Sequence, residues 1–129
     1  MADYKIEQVV DLFFNGIENG DETALQSVYA DNIKVWHSFT DAEASKAEGI
    51  ALLMALISAG AQIKYAVEEQ LVVGNRVVRR HKVTITGAGG KTVVLPVSIF
   101  MTIEGNQITR IDEYVDSNDV KKVAEAAGG

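Results

Sequence analysis

No cysteine occurs among the 129 residues, which excludes a disulfide framework, a thiolate metal site and cysteine nucleophilic chemistry together. Histidine occurs only at positions 37 and 81, too far apart to show local metal-ligand spacing. Neither a metal nor an organic cofactor is therefore expected. Basic residues are outnumbered, 12 against 18 acidic ones, for a net charge of −6. A broad phosphate-binding surface is excluded on that balance, and nucleic acid is not an expected partner. No apolar run approaches the roughly 18 residues needed to cross a bilayer, so a membrane is not expected either. Met1 to Lys5 lack a basic stretch leading into an apolar one; no secretory signal is expected, and a cytoplasmic location is the default.

What is present is ordinary globular composition, 47% apolar and 23% charged. No repeat, low-complexity linker or break in composition divides the chain, so one domain is expected over residues 1–129. The first half reads helical. Ile6, Val9, Val10, Phe13, Phe14 and Ile17 recur at three- and four-residue steps and form one apolar stripe. Gly20 suits the stop of that helix and Asp21 the cap of a second, which places Ala24, Leu25, Val28 and Tyr29 inward and ends at Asp31-Asn32. A short strand, Ile33 to Ser38, carries the one tryptophan and the first histidine. A polar loop from Thr40 to Ala44 leads to Ser45-Lys46-Ala47-Glu48, a capping-box pattern that opens a helix through Ile50, Leu53, Met54 and Ile57 to Gly60.

After residue 62 the apolar period switches from 3.6 to 2. Ile63–Val73, Val77–Thr86, Thr92–Ile103 and Gln107–Val115 read as four strands joined by short Gly- and Asn-rich turns, hence antiparallel neighbours. Asp116 or Ser117 can cap a short, frayed tail helix holding Val120 and Val123, with a mobile Ala-Ala-Gly-Gly end. The basic cluster Arg76, Arg79, Arg80 and Lys82 falls on the second of these strands and reads as a solvated or subunit-facing side of the sheet. Gly87 to Gly90 joins two strands with no helix behind it, so it is a hairpin turn and not a phosphate loop. Helices first and a long meander afterwards predict an α+β fold: a curled, antiparallel or mixed sheet whose concave face is covered by the N-terminal helices, leaving a cone with a mouth and an internal pocket.

Strand parity then asks which polar groups face that pocket. Val35 shares a face with His37; His81 with Val83 and Ile85; Glu113 with Ile111 and Val115. If apolar partners mark the concave side, His37, His81 and Glu113 converge. An imidazole and a carboxylate in a poorly hydrated pocket form an acid/base pair suited to moving a proton beside a carbonyl or eliminating water. His37 or Glu113 would be the base and His81 a donor to the ligand oxygen. Structural readings stand beside this one: His37 as a core histidine, His81 as a pocket liner, Glu113 as half of a buried ion pair. Phe13, Met54 and Phe100, with Val83 and Ile111, are the expected apolar lining, which suits a small hydrophobic molecule with one polar handle. Ile99, Met101 and Ile103, or their alternates, would form an exposed apolar sheet face and make a homodimer the expected assembly.

The element order resembles the nuclear transport factor 2-like superfamily, and within it the SnoaL-like proteins, over Tyr4 to Val123. Three stretches carry the resemblance: Asn19-Gly20-Asp21 through Ala30-Asp31-Asn32, Val77 through Thr84, and Gly105-Asn106-Gln107-Ile108 followed by Asp112-Glu113-Tyr114-Val115-Asp116. It implies the α+β cone, an internal pocket and structural roles for Tyr114 and Asp116, and it adds Ser98 to the pocket as a donor. It does not imply one activity, since the fold hosts isomerases, cyclases, dehydratases, epoxide hydrolases and non-enzymes. Lys91 through Phe100 resembles the penultimate strand of ketosteroid isomerases, which use an aspartate base and an oxyanion hole of a tyrosine and a protonated aspartate. Here those positions hold His37, Phe13 and Ser98. Phenylalanine donates nothing and serine donates poorly, so that oxyanion hole is missing and that activity is excluded. The aspartate-arginine-aspartate set of limonene epoxide hydrolases falls on Glu113, near His81 and on Val83, which leaves no second carboxylate. Two functional readings remain: a cofactor-free acid/base isomerase, dehydratase or cyclase, and a non-catalytic ligand-binding or dimerisation module.

Overall fold

The computed structural model describes residues 5–128, with side chains through Ala126. Its elements run α1 (Ile6–Asn19), α2 (Glu22–Val28), β1 (Tyr29–His37), β2 (Ala42–Ala44), α3 (Lys46–Ser58), β3 (Gln62–Val73), β4 (Arg76–Thr86), β5 (Thr92–Glu104), β6 (Gln107–Val115) and α4 (Ser117–Gly128). The six strands form one sheet in the order β2-β1-β6-β5-β4-β3. All neighbours are antiparallel except β1 and β6, which run parallel. The result is the expected α+β architecture, a curled and unclosed mixed sheet with helices on its concave face.

The local signals act as read. The stripe of α1 is buried from Val9 to Ile17, and Gly20 ends the helix in the left-handed region at φ 64°, which a side chain would resist. Asp21 Oδ1 accepts from the Ala24 N–H at 3.1 Å. Ser45 and Glu48 close a reciprocal capping box on α3, and Asp116 Oδ1 accepts from the Asn118 N–H at 2.7 Å to start α4.

Three boundaries and one strand face differ from expectation. The second helix stops at Val28, because Tyr29 to Asn32 already belong to β1, where Tyr29 pairs with Ile108 of β6. Sheet pairing overrides the weak helical preference of that segment. The Thr40–Ala44 loop contains a three-residue strand that folds back on β1 as a hairpin. The tail helix is longer than expected, reaching Gly128 with Ala126 buried; the rest of the segment expected to be mobile lies outside the described residues. Finally, Ile99, Met101 and Ile103 are buried on the concave side of β5. The alternate set, Pro96, Ser98, Phe100 and Thr102, takes the convex face.

Candidate active site

The concave side encloses an apolar cavity of about 360 Å³, at the small end of the usual range for ligand pockets. Phe13, Phe14 and Ile17 of α1 wall one side, Leu52, Leu53 and Leu56 of α3 another, and Val120 and Val123 of α4 a third. The sheet contributes Val35, Val83, Ile85, Leu95, Val97, Ile99, Ile111 and Val115. Five side chains with polar groups break this lining: His37, His81, Glu113, Tyr29 and Tyr65.

His37 and Glu113 meet because β1 and β6 are parallel and in register at that pair. Ser38 pins the register: its N–H donates to the Glu113 carbonyl at 2.9 Å, and its Oγ donates to the Val115 carbonyl and accepts from the Val115 N–H. The backbone of Glu113 is thereby fixed on both sides, and His37 Nε2 lies 3.7 Å from Glu113 Oε1. About 31% of the Glu113 side chain stays accessible, and that surface faces the cavity it lines. Burial pushes its carboxyl up to about 7, far above the ordinary 4.5, because a low-dielectric wall disfavours the charged form. Burial likewise lowers His37. Both shifts favour neutral partners, so near neutral pH the contact is a neutral imidazole beside a half-ionised carboxyl rather than an ion pair.

Across the cavity His81 is buried, with 1% exposure. Its ring is clamped edge-on by Phe14 and Tyr65, and its Nδ1 accepts a hydrogen bond from Arg79 Nε at 3.0 Å. Burial, and then the neighbouring Arg79 charge, hold it down at about 4. It is neutral at physiological pH. Burial and then the charge of Glu113 raise both phenols, Tyr29 and Tyr65, so both remain O–H donors. Among the described residues no group of three His, Cys, Asp or Glu could hold a metal ion.

Of the residues chosen from sequence, His37, His81, Glu113, Phe13, Val83 and Ile111 come together around this cavity. Three do not. Ser98 pairs with Arg80 and Tyr114 and is exposed on the convex face; its inward neighbours in the strand are Val97 and Ile99. Phe100 shares that convex side and stacks edge-on with Tyr114. The family match placed Ser98 inside, and strand alternation puts it outside. Met54 packs against the core, but α3 turns Leu52, Leu53 and Leu56 toward the cavity at three- and four-residue spacing and leaves Met54 out of the lining.

Four residues escaped the sequence reading. Tyr65 shares the face of Ile63 on β3, a parity available in the sequence. Phe39 follows the strand that carries His37, where no periodicity operates. Tyr29 was placed inward, but as a helix residue. The basic cluster predicts a solvated or subunit-facing side for Arg79, yet it is 4% exposed, on the same face as Val77 and His81. Its charge argued for water; parity argued for the interior, and parity was right.

The SnoaL-like domain family matches residues 10–111. The chain belongs to this family, within the nuclear transport factor 2-like superfamily. No curated protein matches in sequence. Among solved structures, an LEH-like epoxide hydrolase from M. tuberculosis superposes with TM-score 0.78 at 15% identity, covering 94% of this chain and 90% of that one. IdmH from Streptomyces antibioticus, a candidate polyketide cyclase, has TM-score 0.78 at 11% identity over 95% and 99%. A candidate SnoaL-like polyketide cyclase from Shewanella putrefaciens CN-32 has TM-score 0.79 at 14% identity over 93% and 85%. Identities this low establish the fold alone.

Proposed function

We propose that the protein is a cofactor-free acid/base enzyme of the isomerase, dehydratase or cyclase type, acting in the cytoplasm on a small hydrophobic carbonyl or hydroxyl compound. The observation that carries this reading is Glu113, a carboxyl held at about 7 beside His37 in an otherwise apolar cavity. A base that is half ionised near working pH is the efficient compromise between availability and strength. Ionised Glu113 removes a proton from the carbon next to a carbonyl; the C–H electron pair moves into the carbon–carbon bond and the carbonyl pair onto oxygen. His81 and a tyrosine hydroxyl stabilise that oxygen as donors. Protonated Glu113 then returns the proton, either to another carbon, giving an isomer, or to a leaving hydroxyl, giving water. His37 orients the carboxyl and, being neutral, does not trap its proton. The polyketide cyclase and epoxide hydrolase descriptions of the structural neighbours support this type of chemistry without specifying a substrate.

The test is solvent deuterium exchange at the carbon beside the carbonyl, followed by NMR across a panel of hydrophobic ketones and β-hydroxyketones chosen because they raise the melting temperature. Exchange by the wild type, lost about 10²- to 10⁴-fold in Glu113→Gln, is expected. Ligands that stabilise the protein yet exchange no faster than with Glu113→Gln would leave the non-catalytic binding module standing instead. The expected homodimer is proposed through the convex face, where Trp36, Phe100 and Tyr114 form an aromatic cluster and Val94 and Tyr114 are about half exposed. Light scattering that returns a monomer at high concentration removes it.

A further inference from the structure

Arg79 is an unusual core residue. Among the described residues no carboxylate lies within ion-pair distance of it, and its Nε–H donates to an imidazole nitrogen. Burial opposes its charge, and a charge left unpaired in the interior is costly. What offsets the cost is the ring of Phe14, whose face lies 3.5 Å beneath the guanidinium carbon, with Tyr65 at 5.6 Å and the more distant pull of Asp11 and Glu18 from α1. Glu18 is itself engaged, since its Oε2 accepts the Tyr65 backbone N–H at 2.8 Å. Arg79 does not line the cavity. It sits behind His81, two residues away on the same face of β4, and meets the ligand wall from behind, through that ring and those of Phe14 and Tyr65.

The direction of the Arg79 hydrogen bond decides the chemistry of His81. A guanidinium has five N–H donors and no acceptor, and it does not give up its proton in a protein. Nδ1 of His81 must therefore present a lone pair, which puts the single ring proton on Nε2. Protonating Nδ1 would break the 3.0 Å bond and set two cations side by side. Other charged or titratable groups facing this wall are Tyr65 on β3, Glu113 on β6, and Tyr29 and His37 on β1, and none of them hydrogen-bonds to His81.

We infer that Arg79 is a positioning residue that locks His81 in its neutral Nε2–H form, so that this wall of the cavity recognises a hydrogen-bond acceptor, the oxygen of a ketone, enone or enolate. The carbonyl class of the ligand rests on the function proposed above; the tautomer does not. A cation next to Nδ1 also makes Nε2–H a stronger donor, which matches an oxygen that gains negative charge during reaction.

Nitrogen-15 correlation spectra of the imidazoles near pH 7 test it directly. Wild-type His81 is expected as a single tautomer with Nε2 protonated, unchanged down to about pH 5. In Arg79→Met the two tautomers should mix and the protonation midpoint should rise by about one pH unit. Arg79→Lys loses the planar stack on Phe14 but keeps a cationic donor with no acceptor, so His81 should keep its proton on Nε2. A wild-type His81 carrying its proton on Nδ1, or carrying two, overturns the inference, as does an unaltered tautomer in Arg79→Met. Should Arg79→Met fail to fold, the wild-type spectrum and Arg79→Lys still decide. A locked tautomer in a protein that exchanges no ketone proton would defeat the proposed function and leave this inference intact.

Discussion

On the convex face of the sheet, Arg110 reaches Glu43 at 2.6 Å and Asp112 at 2.8 Å, and Arg80 reaches Glu69 at 3.1 Å. Every one of these groups is partly solvated. On the concave face, Arg79 has a histidine for a partner, His81 has an arginine, and Glu113 has a histidine that burial keeps neutral. The same strands carry both sets. Outside, opposite charges meet in water, where a pair contributes little in either direction. Inside, His81 and Glu113 are held toward their neutral forms and Arg79 keeps its charge with no carboxylate beside it, an arrangement that costs stability. The concave set is where chemistry is to be sought, and the convex set is where it is not.

The largest effect should separate the faces most sharply. Glu113→Gln should cost about 10²- to 10⁴-fold in proton exchange on a turned-over ketone, while the protein stays folded by circular dichroism; retained exchange would erase the distinction. Next, Phe14→Ala removes a core ring and uncovers the Arg79 guanidinium. It should lower unfolding stability by roughly 3–5 kcal/mol in urea titrations, and a loss below about 1 kcal/mol would mean that the arginine is solvated after all.

The pH dependence follows in size. Glu113 has a folded value raised from 4.5 to about 7, so the stability linked to it is present below pH 4.5 and is lost as pH rises through 7, by at most about 3 kcal/mol. His81 has a folded value lowered from 6.5 to about 4, so its contribution is present above pH 6.5 and is lost as pH falls toward 4. The two trends oppose each other in the wild type. Glu113→Gln should therefore unmask acid destabilisation below pH 6.5, from His81 and the likewise lowered His37 together, seen as a falling urea midpoint; a flat profile in that variant would contradict a neutral buried His81.

On the convex face the expected effects are small. Arg110→Ala should change stability by no more than about 1 kcal/mol and leave ligand-induced shifts in melting temperature unaltered. Ser98→Ala should be smallest of all, within about 0.5 kcal/mol and without effect on exchange. A loss of exchange there would return Ser98 to the mechanism and reverse the assignment of faces on β5.

Much of this was legible from residue order. Helix stripes, the Ser45–Glu48 box, the Gly20 stop and five of the six strands, all but the three-residue β2, follow from local periodicity and capping chemistry. Convergence of His37, His81 and Glu113 followed from alternation along three strands. What escaped has a common physical origin. The early end of α2 at Val28 depends on β6, a partner eighty residues away. Arg79 lies inside because Phe14, on another element, supplies a face for its charge. Ser98 lies outside, against the family correspondence, because β5 alternates and Val97 and Ile99 take the inner face.

Sequence alone determined the α+β order, the apolar stripes of helix and strand and the types of titratable group available, since these depend on period and composition over short spans. Tertiary structure decided which of those groups meet and in what protonation state. The parallel register of β1 with β6 brings His37 to 3.7 Å from Glu113, and a buried guanidinium dictates which nitrogen of His81 bears the proton. Both depend on distance and dielectric between segments remote in the chain, which no local pattern encodes.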